Sequence, residues 1–489
     1  MSLTKATYSM IEGAAANVLD YGAVGDGTTN DTAAFTAALA ANPLVYVPCG
    51  TYIIQNLSIP SNKTLFGGGK ETILKLPAAS ILRVIATTGS TDATVRDLTL
   101  DARGTGTSIA LFTTCTRINV LNVWATGSAS HGIEFDNCGG CTLDGAEIYS
   151  TGGASSSAAV YLKNPTGNGS YNVVSNVYFR SINGRGVHNL GNNFTQISNI
   201  RADMTNGESI LVQDSTSVIM QSITHTGAEP GAAALSDGIA IEGNCLYCVL
   251  DDFHVSNSAG HAVSLGNRSG ANGAAYCTVS NGVVVNADEC GVSITDQGVA
   301  NGPTANVVCN VVVQNAGKQI VSASFNVSGG SNNQFVNCTA VDSQGSPTTT
   351  YGFQENNTGA NTATSNSFSG RLIGPFTVEE YDLSSTLSCV RESTKTITPT
   401  WCTFDGNGGA TITGSSNVTS VVRNSAGNYT ITFSNPMPAG YPISAITRSF
   451  AGNNYIQVFT APTSTSVTVQ VRTDAGVAND SDYISVRVG

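Results

Sequence analysis

Charged side chains are scarce in this sequence: 11% of 489 residues, against about 25% in an average soluble protein. Lys and Arg number 21 and Asp and Glu 33, for a formal net charge of −12. With no basic cluster to neutralise phosphates, nucleic acid is not an expected partner. Long apolar runs are missing too. Each is broken by Asn or Gly well short of the roughly 20 residues of a membrane helix, so no membrane span is expected. Met1 to Gly13 lacks the basic-then-apolar pattern of a secretory leader. A helical 3.6-residue period is nearly absent.

Present instead are 53 Gly and abundant Asn, Ser and Thr, the residues of strands and tight turns. The twelve Cys include Cys138-Gly-Gly-Cys141 and Cys245-Leu-Tyr-Cys248. A metal site needs two such pairs converging. Buried thiols are the simpler reading, because free Cys is among the most buried residue types. No metal or other cofactor is expected.

One phrase recurs: apolar, polar, Asn or another small polar residue, apolar. It is Val174-Ser-Asn-Val177, Ile197-Ser-Asn-Ile200, Leu250-Asp-Asp-Phe253 and Val308-Cys-Asn-Val311. Its third position falls at Asp97, Asn122, Gly145, Asn176, Asn199, Ser222, Asp252, Asn281, Asn310, Asn337 and, in a weaker last copy, Asn366. A period of roughly 27 residues with variable loops and two-residue alternation describes a solenoid of stacked parallel strands. Cys248 and Cys277 each lie four residues before a ladder position, so they should stack as interior neighbours.

A solenoid needs its open ends covered. At the N-terminal end, Thr32-Ala-Ala-Phe-Thr-Ala-Ala-Leu39 reads as a capping helix, with Asn30 or Asp31 at its N-cap. Leu44 to Ile54 reads as strand, turn and strand. No Lys follows the preceding Gly-rich stretch as a phosphate loop requires. Past residue 375 the texture changes, and Asn428–Phe433 and Ser466–Val471 alternate cleanly as strands. The expected organisation is an N-terminal cap region (1–54), a β-helix (55–370), a connector (371–396) and a C-terminal β domain (397–489).

The run Asp20-Tyr-Gly-Ala-Val-Gly-Asp-Gly-Thr-Thr-Asn-Asp31, with Pro48-Cys-Gly-Thr-Tyr52, resembles the N-terminal motif of the pectate-lyase-like right-handed parallel β-helix superfamily. It especially resembles that of bacteriophage tailspikes and capsule or O-antigen depolymerases. With the ladder, the likeness covers about residues 17–370. It marks the cap, so Asp26 and Asp31 are not taken as catalytic. Residues 417–433 are similar to C-terminal domains of phage tail fibres and spikes. The resemblance implies an all-β chain with a C-terminal β-sandwich-like module for trimerisation or glycan binding. It also implies a homotrimer on a virion, joined to phage tail or baseplate proteins through its N-terminal side and acting on a bacterial cell-surface polysaccharide.

A second column carries the candidate chemistry. A polar residue, a small residue and Ile or Val recur as His131-Gly-Ile, Ala158-Ala-Val, Arg185-Gly-Val, Glu208-Ser-Ile, Asp237-Gly-Ile, His261-Ala-Val and Cys290-Gly-Val. The first residues should stack on consecutive turns, so the column reads Arg185, Glu208, Asp237, His261. Two acids one strand spacing apart would raise the pKa of one of them. That supplies the acid and the base of glycosidic cleavage. Glu208 and Asp237 are therefore the candidate catalytic pair. Arg185 and His261 flank them as substrate-binding candidates, joined by the outward positions His188, Glu242 and Tyr161. Glu134 and Asp136 near His131 are a backup acidic cluster, and His225 to Ser236 could wall a groove. The bland alternative is a set of solvated bends with a weak Arg185–Glu208 surface pair.

Ser236-Asp-Gly-Ile239 resembles the first acidic motif of polygalacturonase-type hydrolases. That family's paired Asp on the next turn has no counterpart here, so its site is not carried over. Three functions remain open: a hydrolase, a polysaccharide lyase or epimerase on the same fold, and a non-catalytic glycan-binding adhesin. Sparse Lys weighs against the lyase; fold alone decides none of them.

Overall fold

The computed structural model describes residues 14–149, 157–164, 170–227, 236–267, 272–296, 301–318, 322–343, 349–356 and 363–373, then 381–383, 391–393, 400–406, 409–434, 443–448, 454–458, 463–473, 478 and 483–488. It is a right-handed parallel β-solenoid of about 11 turns followed by antiparallel sheets. Two compact units divide it, Met1–Thr394 and Lys395–Gly489.

Each turn contributes a strand to two stacked faces. On the first face, Gln196–Asn206, Ile219–Thr226, Val249–Ser256, Thr278–Val285 and Val307–Gln314 stack in parallel. Met220 pairs with Leu250, Leu250 with Val279 and Val279 with Val308. On the second face, Arg185–Leu190, Ile210–Gln213, Ile239–Glu242 and Val263–Asn267 stack with Val187, Ile210, Ile239 and Val263 in register. Period-two alternation sends these aliphatic residues into one continuous core. Rings stack there as well, with Phe112 5.3 Å from Phe135 and Phe325 5.0 Å from Phe353.

The repeating phrase marks a bend in the first face. Asp97, Asn122, Asn176, Asn199, Ser222, Asp252, Asn281, Asn310 and Asn337 all have φ between 49° and 59°, and Gly145 has φ 69°. Asn and Asp tolerate this left-handed conformation better than other side chains, which is why the phrase selects them. Their side chains also bond along the stack. Asn310 Nδ2 donates to Asn281 Oδ1 at 3.1 Å, and Asn337 Nδ2 to Asn310 Oδ1 at 2.8 Å.

Asn366 does not belong to this ladder. Its Oδ1 accepts the backbone N–H of buried Asn333 at 2.8 Å, and Asn333 Oδ1 accepts that of Asn306 at 3.0 Å. These Asn form an interior ladder four residues earlier in the turn, and Cys248 and Cys277 share that position. Thr278 N–H donates to Cys248 O, and both thiols are fully buried, stacked as the spacing predicts.

At the N-terminal end the helix spans Thr32–Ala41 and buries Phe35, Ala38 and Leu39. Asp31 occupies the N-cap, but its carboxylate turns away to accept Val24 and Gly25 N–H at 2.7 and 3.2 Å. Asn30 Oδ1 takes the Thr32 N–H instead. Gly25 has φ 69°, and a Cβ there would stand 2.7 Å from the Tyr52 ring. The acidic and glycine residues of the motif thus tie the loop to the cap.

In the C-terminal unit, two four-stranded antiparallel sheets share one core. Asn428–Phe433 pairs with Ser466–Thr473, as their alternation predicts. Tyr429 packs 5.0 Å from Phe404 of the other sheet.

Candidate functional site

The second column stands at the bend that opens the second face. Ala158 pairs with Arg185. Arg185, Glu208, Asp237 and His261 each lie two residues before the registered Val187, Ile210, Ile239 and Val263. Gly186 N–H donates to Glu208 O, and Gly238 N–H to His261 O. The four residues therefore occupy four consecutive turns.

The two acids are not solvated, and Arg185 and His261 are only partly exposed. Glu208 is 4% exposed and Asp237 2%. Each acid has a cationic neighbour. Arg185 Nε lies 3.3 Å from Glu208 Oε2; Asp237 Oδ1 accepts the backbone N–H of His261 at 3.0 Å, and its charge helps to hold the proton on the His261 ring. Gly260 makes room for this: a Cβ there would fall 2.8 Å from Asp237 Oδ1.

The surroundings of His261 favour its charged form. Burial opposes its proton, but Cys290, Asp237 and Glu289 together outweigh burial and push its pKa up to about 9. Its Nδ1 lies 3.2 Å from Glu289 Oε2 and also 3.2 Å from the Cys290 N–H. One nitrogen cannot donate to the first and accept from the second. The raised pKa favours the imidazolium, with its Nδ1–H toward Glu289.

His188 is the opposite case. Burial, then the Arg185 charge, lower its pKa to about 3. Neutral His188 accepts from Arg185 Nη1 at 3.5 Å and donates from Nε2 to Gln213 Oε1 at 3.3 Å. Tyr161 lies between two imidazoles, its ring centroid 4.7 Å from His131 and 4.8 Å from His188. Burial, then Glu134, raises the Tyr161 pKa, and burial lowers that of His131.

Tyr161, His188, Arg185 and Glu208 thus form one chain of contacts, and Asp237 with His261 forms a second on the next turns. Glu242 stands one turn beyond Gln213, the partner of His188. It is buried, in register with Gln213, and five residues beyond Asp237, about 16 Å along an extended strand. In the backup cluster, Glu134 accepts from Ser108 Oγ at 3.0 Å and Asp136 pairs with Lys163 at 3.4 Å. Of the segment from His225 to Ser236, residues 228–235 lie outside the described residues. His225 is fully buried, neither ring nitrogen is hydrogen-bonded among the described residues, and burial lowers its pKa to about 4. It borders a small cavity of about 20 Å³, also lined by Asn206, Gly207 and Ser236. That is room for about one water.

Sequence reasoning missed Glu289 and Gln213. Gln213 was within reach, because it follows inward Val212 in the outward register of Glu242. Glu289 stands one residue before the column and reaches it only through a bend.

The fold defines a class: a right-handed parallel β-helix. Residues 15–233 match the family model described as rhamnogalacturonase A/epimerase, pectate lyase-like. The preneck appendage protein of Bacillus phage PZA is 30% identical over 144 residues, 25% of this chain and 17% of the phage protein. The chain thus spans under a fifth of that relative. Among solved structures, the A-module of the Azotobacter vinelandii mannuronan C-5 epimerase AlgE6 superposes with TM-score 0.50 at 16% identity, covering 77% of this chain and 98% of that one. PfbA, a surface adhesin of Streptococcus pneumoniae, gives TM-score 0.53 at 13% identity, over 84% and 97%. At these identities the structural likeness carries the fold and not the chemistry.

Proposed function

We propose that this protein is a phage tailspike that binds and hydrolyses a bacterial surface polysaccharide, with Glu208 and Asp237 as its acid–base pair. The observation that carries the reading is the pair itself: two nearly buried carboxylates on adjacent turns of a pectate-lyase-like β-helix, each beside its own cation. Stacked acids are costly in an ordinary ladder, where the other turns hold Ala158 or Cys290. Catalysis explains keeping them. Arg185 and His261 flank the pair and would hold sugar hydroxyls or acidic groups. The phage appendage relative supports a place on a virion tail; in this reading the N-terminal side faces tail proteins and the surface of a host bacterium is the target. A homotrimer completes the proposal; light scattering giving a monomer would count against it.

A second reading rests on Arg185 beside neutral His188 and on Tyr161. A cation that neutralises a uronate next to a neutral base is the equipment of a lyase or epimerase, and the matched family model includes an epimerase.

The test incubates the protein with polysaccharides from a panel of bacteria and follows chain length, new reducing ends and new carbon–carbon double bonds. Hydrolysis gives reducing ends without double bonds, lost in both Glu208→Gln and Asp237→Asn. Unsaturated products favour the lyase. Cleavage that persists in both variants removes the pair from the site. Binding without cleavage makes the protein an adhesin.

A further inference from the structure

At the far edge of the second face, after each of its strands, the chain turns through another left-handed residue. In the middle of the solenoid these residues are Tyr171, Phe194, Ser217, Tyr247 and Tyr276, with φ between 54° and 62°. They lie on five consecutive turns. Tyr171 N–H donates to Asn193 O, Phe194 N–H to Thr216 O, Ser217 N–H to Leu246 O and Tyr247 N–H to Ala275 O. On other turns the same place holds Asn62, Asp92, Arg117, Gly140, Ala305, Asn332 or Ser365. Bulky side chains are rare in this conformation, and four aromatic rings here work against backbone preference.

Burial does not explain them. Tyr171 is 66% exposed, Phe194 46%, Tyr247 57% and Tyr276 54%. They stack in two pairs, Tyr171 on Phe194 at 5.0 Å and 9°, and Tyr247 on Tyr276 at 5.4 Å and 21°. Between the pairs, one turn offers only the half-buried Ser217. Phe194 and Tyr247 thus stand on either side of the Ser217 turn, two strand spacings or about 9.6 Å apart. A ring placed midway would lie about 4.8 Å from each, within the 4.5–7 Å range of ring stacking. The gap is one ring thick.

We infer that this gap is a glycan-binding slot, which takes one pyranose ring of a bacterial polysaccharide between Phe194 and Tyr247, apart from the acid pair. A pyranose presents C–H groups on both faces and hydroxyls around its rim, which suits two aromatic faces above a hydroxyl-bearing floor. The alternative flat guest is a nucleic-acid base. It brings phosphates, whereas no Lys or Arg stands in this stretch of the column, Asp214 lies three residues before Ser217 and the net charge is −12. This inference rests on the glycan reading of the protein but not on Glu208 or Asp237.

Saturation-transfer NMR with methyl α- and β-hexopyranosides at tens of millimolar tests it on the full chain carrying Glu208→Gln and Asp237→Asn. Transfer to ring C–H protons of at least one hexopyranoside is expected. It should fall at least tenfold in Ser217→Phe, which fills the gap with the protein's own ring, and in Phe194→Ala and Tyr247→Ala. Circular dichroism of each variant separates this from loss of fold. No transfer from the parent, or transfer unchanged in folded Ser217→Phe, overturns the slot. Transfer to deoxynucleotides in place of sugars does the same. So does sedimentation in which the parent self-associates and Ser217→Phe or Tyr247→Ala dissociates it, because the rings would then be an interface between copies. Polysaccharide cleavage by the unsubstituted protein, with no slot binding, overturns this inference and leaves the enzymatic reading intact.

Discussion

Arg185 Nε stands 3.3 Å from Glu208 Oε2 and joins two turns where the carboxylate side chain is 5% exposed and the guanidinium 21%. Removing one partner leaves a buried charge without that counter-ion, whereas replacing both with apolar groups is often tolerated. Arg185→Met alone should therefore destabilise the solenoid by about 2–3 kcal/mol, discounted from the buried-pair range for partial exposure. Arg185→Met with Glu208→Leu should recover most of that. Thermal midpoints of the two single variants and the double measure it. Strictly additive losses would show that the pair is not coupled.

The bend ladder makes a different kind of prediction. Asn310 holds φ 55° and bonds to Asn281 below and Asn337 above. Asn310→Gly keeps the backbone conformation and loses the side-chain bonds, at about 1 kcal/mol. Asn310→Val loses the bonds and adds a β-branched residue in the left-handed region, at about 2–4 kcal/mol. Amide exchange in the strand Val307–Gln314 should accelerate in that order. Equal effects of Gly and Val would mean that conformation is not what selects Asn here.

Three histidines set opposite pH limits. His225 and His188 have folded pKa values lowered to about 4 and about 3. Between those values and the ordinary value near 6.5, the unfolded chain binds more protons, so stability falls as pH falls through this window. His225 alone contributes about 3 kcal/mol by its shift, an order-of-magnitude figure. His261, raised to about 9, stabilises fully below pH 6.5 and loses that contribution as pH rises from 6.5 to 9. The thermal midpoint should peak near pH 6.5. His225→Phe should flatten the acid limb between pH 6.5 and 4 and leave the alkaline limb in place. An unchanged acid limb would remove His225 from the account.

How much of this was legible in the residues follows from what each pattern encodes. Stacking forces like residues into columns, so Asn122, Asn199 and Asn310 announce both the period and the bend, and Arg185, Glu208, Asp237 and His261 fall into line by counting. Asn366 misled because two different ladders use Asn four residues apart, and only the flanking Phe368 tells them apart once register is known. Burial was not legible. Glu208 and Asp237 read as bends that could face water, yet they are enclosed, because enclosure depends on neighbouring turns. The aromatic column escaped for a similar reason: Tyr171, Phe194, Tyr247 and Tyr276 share no motif, and only their backbone conformation and stacking unite them.

Gly260 offers the sharpest probe of the acid pair without touching it. A methyl group at this position would lie 2.8 Å from Asp237 Oδ1 and 3.1 Å from Ser236 O, so Gly260→Ala must displace the carboxylate or the backbone beside it. Asp237 would also lose its alignment with the backbone N–H of His261. If Asp237 acts on the glycosidic bond, a shift near 1 Å should cut kcat by about 10²-fold. The KM should change little, because the groups that hold the rest of the chain stay in place. Loss of stability alone would instead lower the active fraction and leave the kcat of the folded molecules unchanged. Active-site titration beside the rate measurement separates the two. Full kcat in folded Gly260→Ala would show that the position of Asp237 does not matter to the reaction, and Glu208 would then need a different partner.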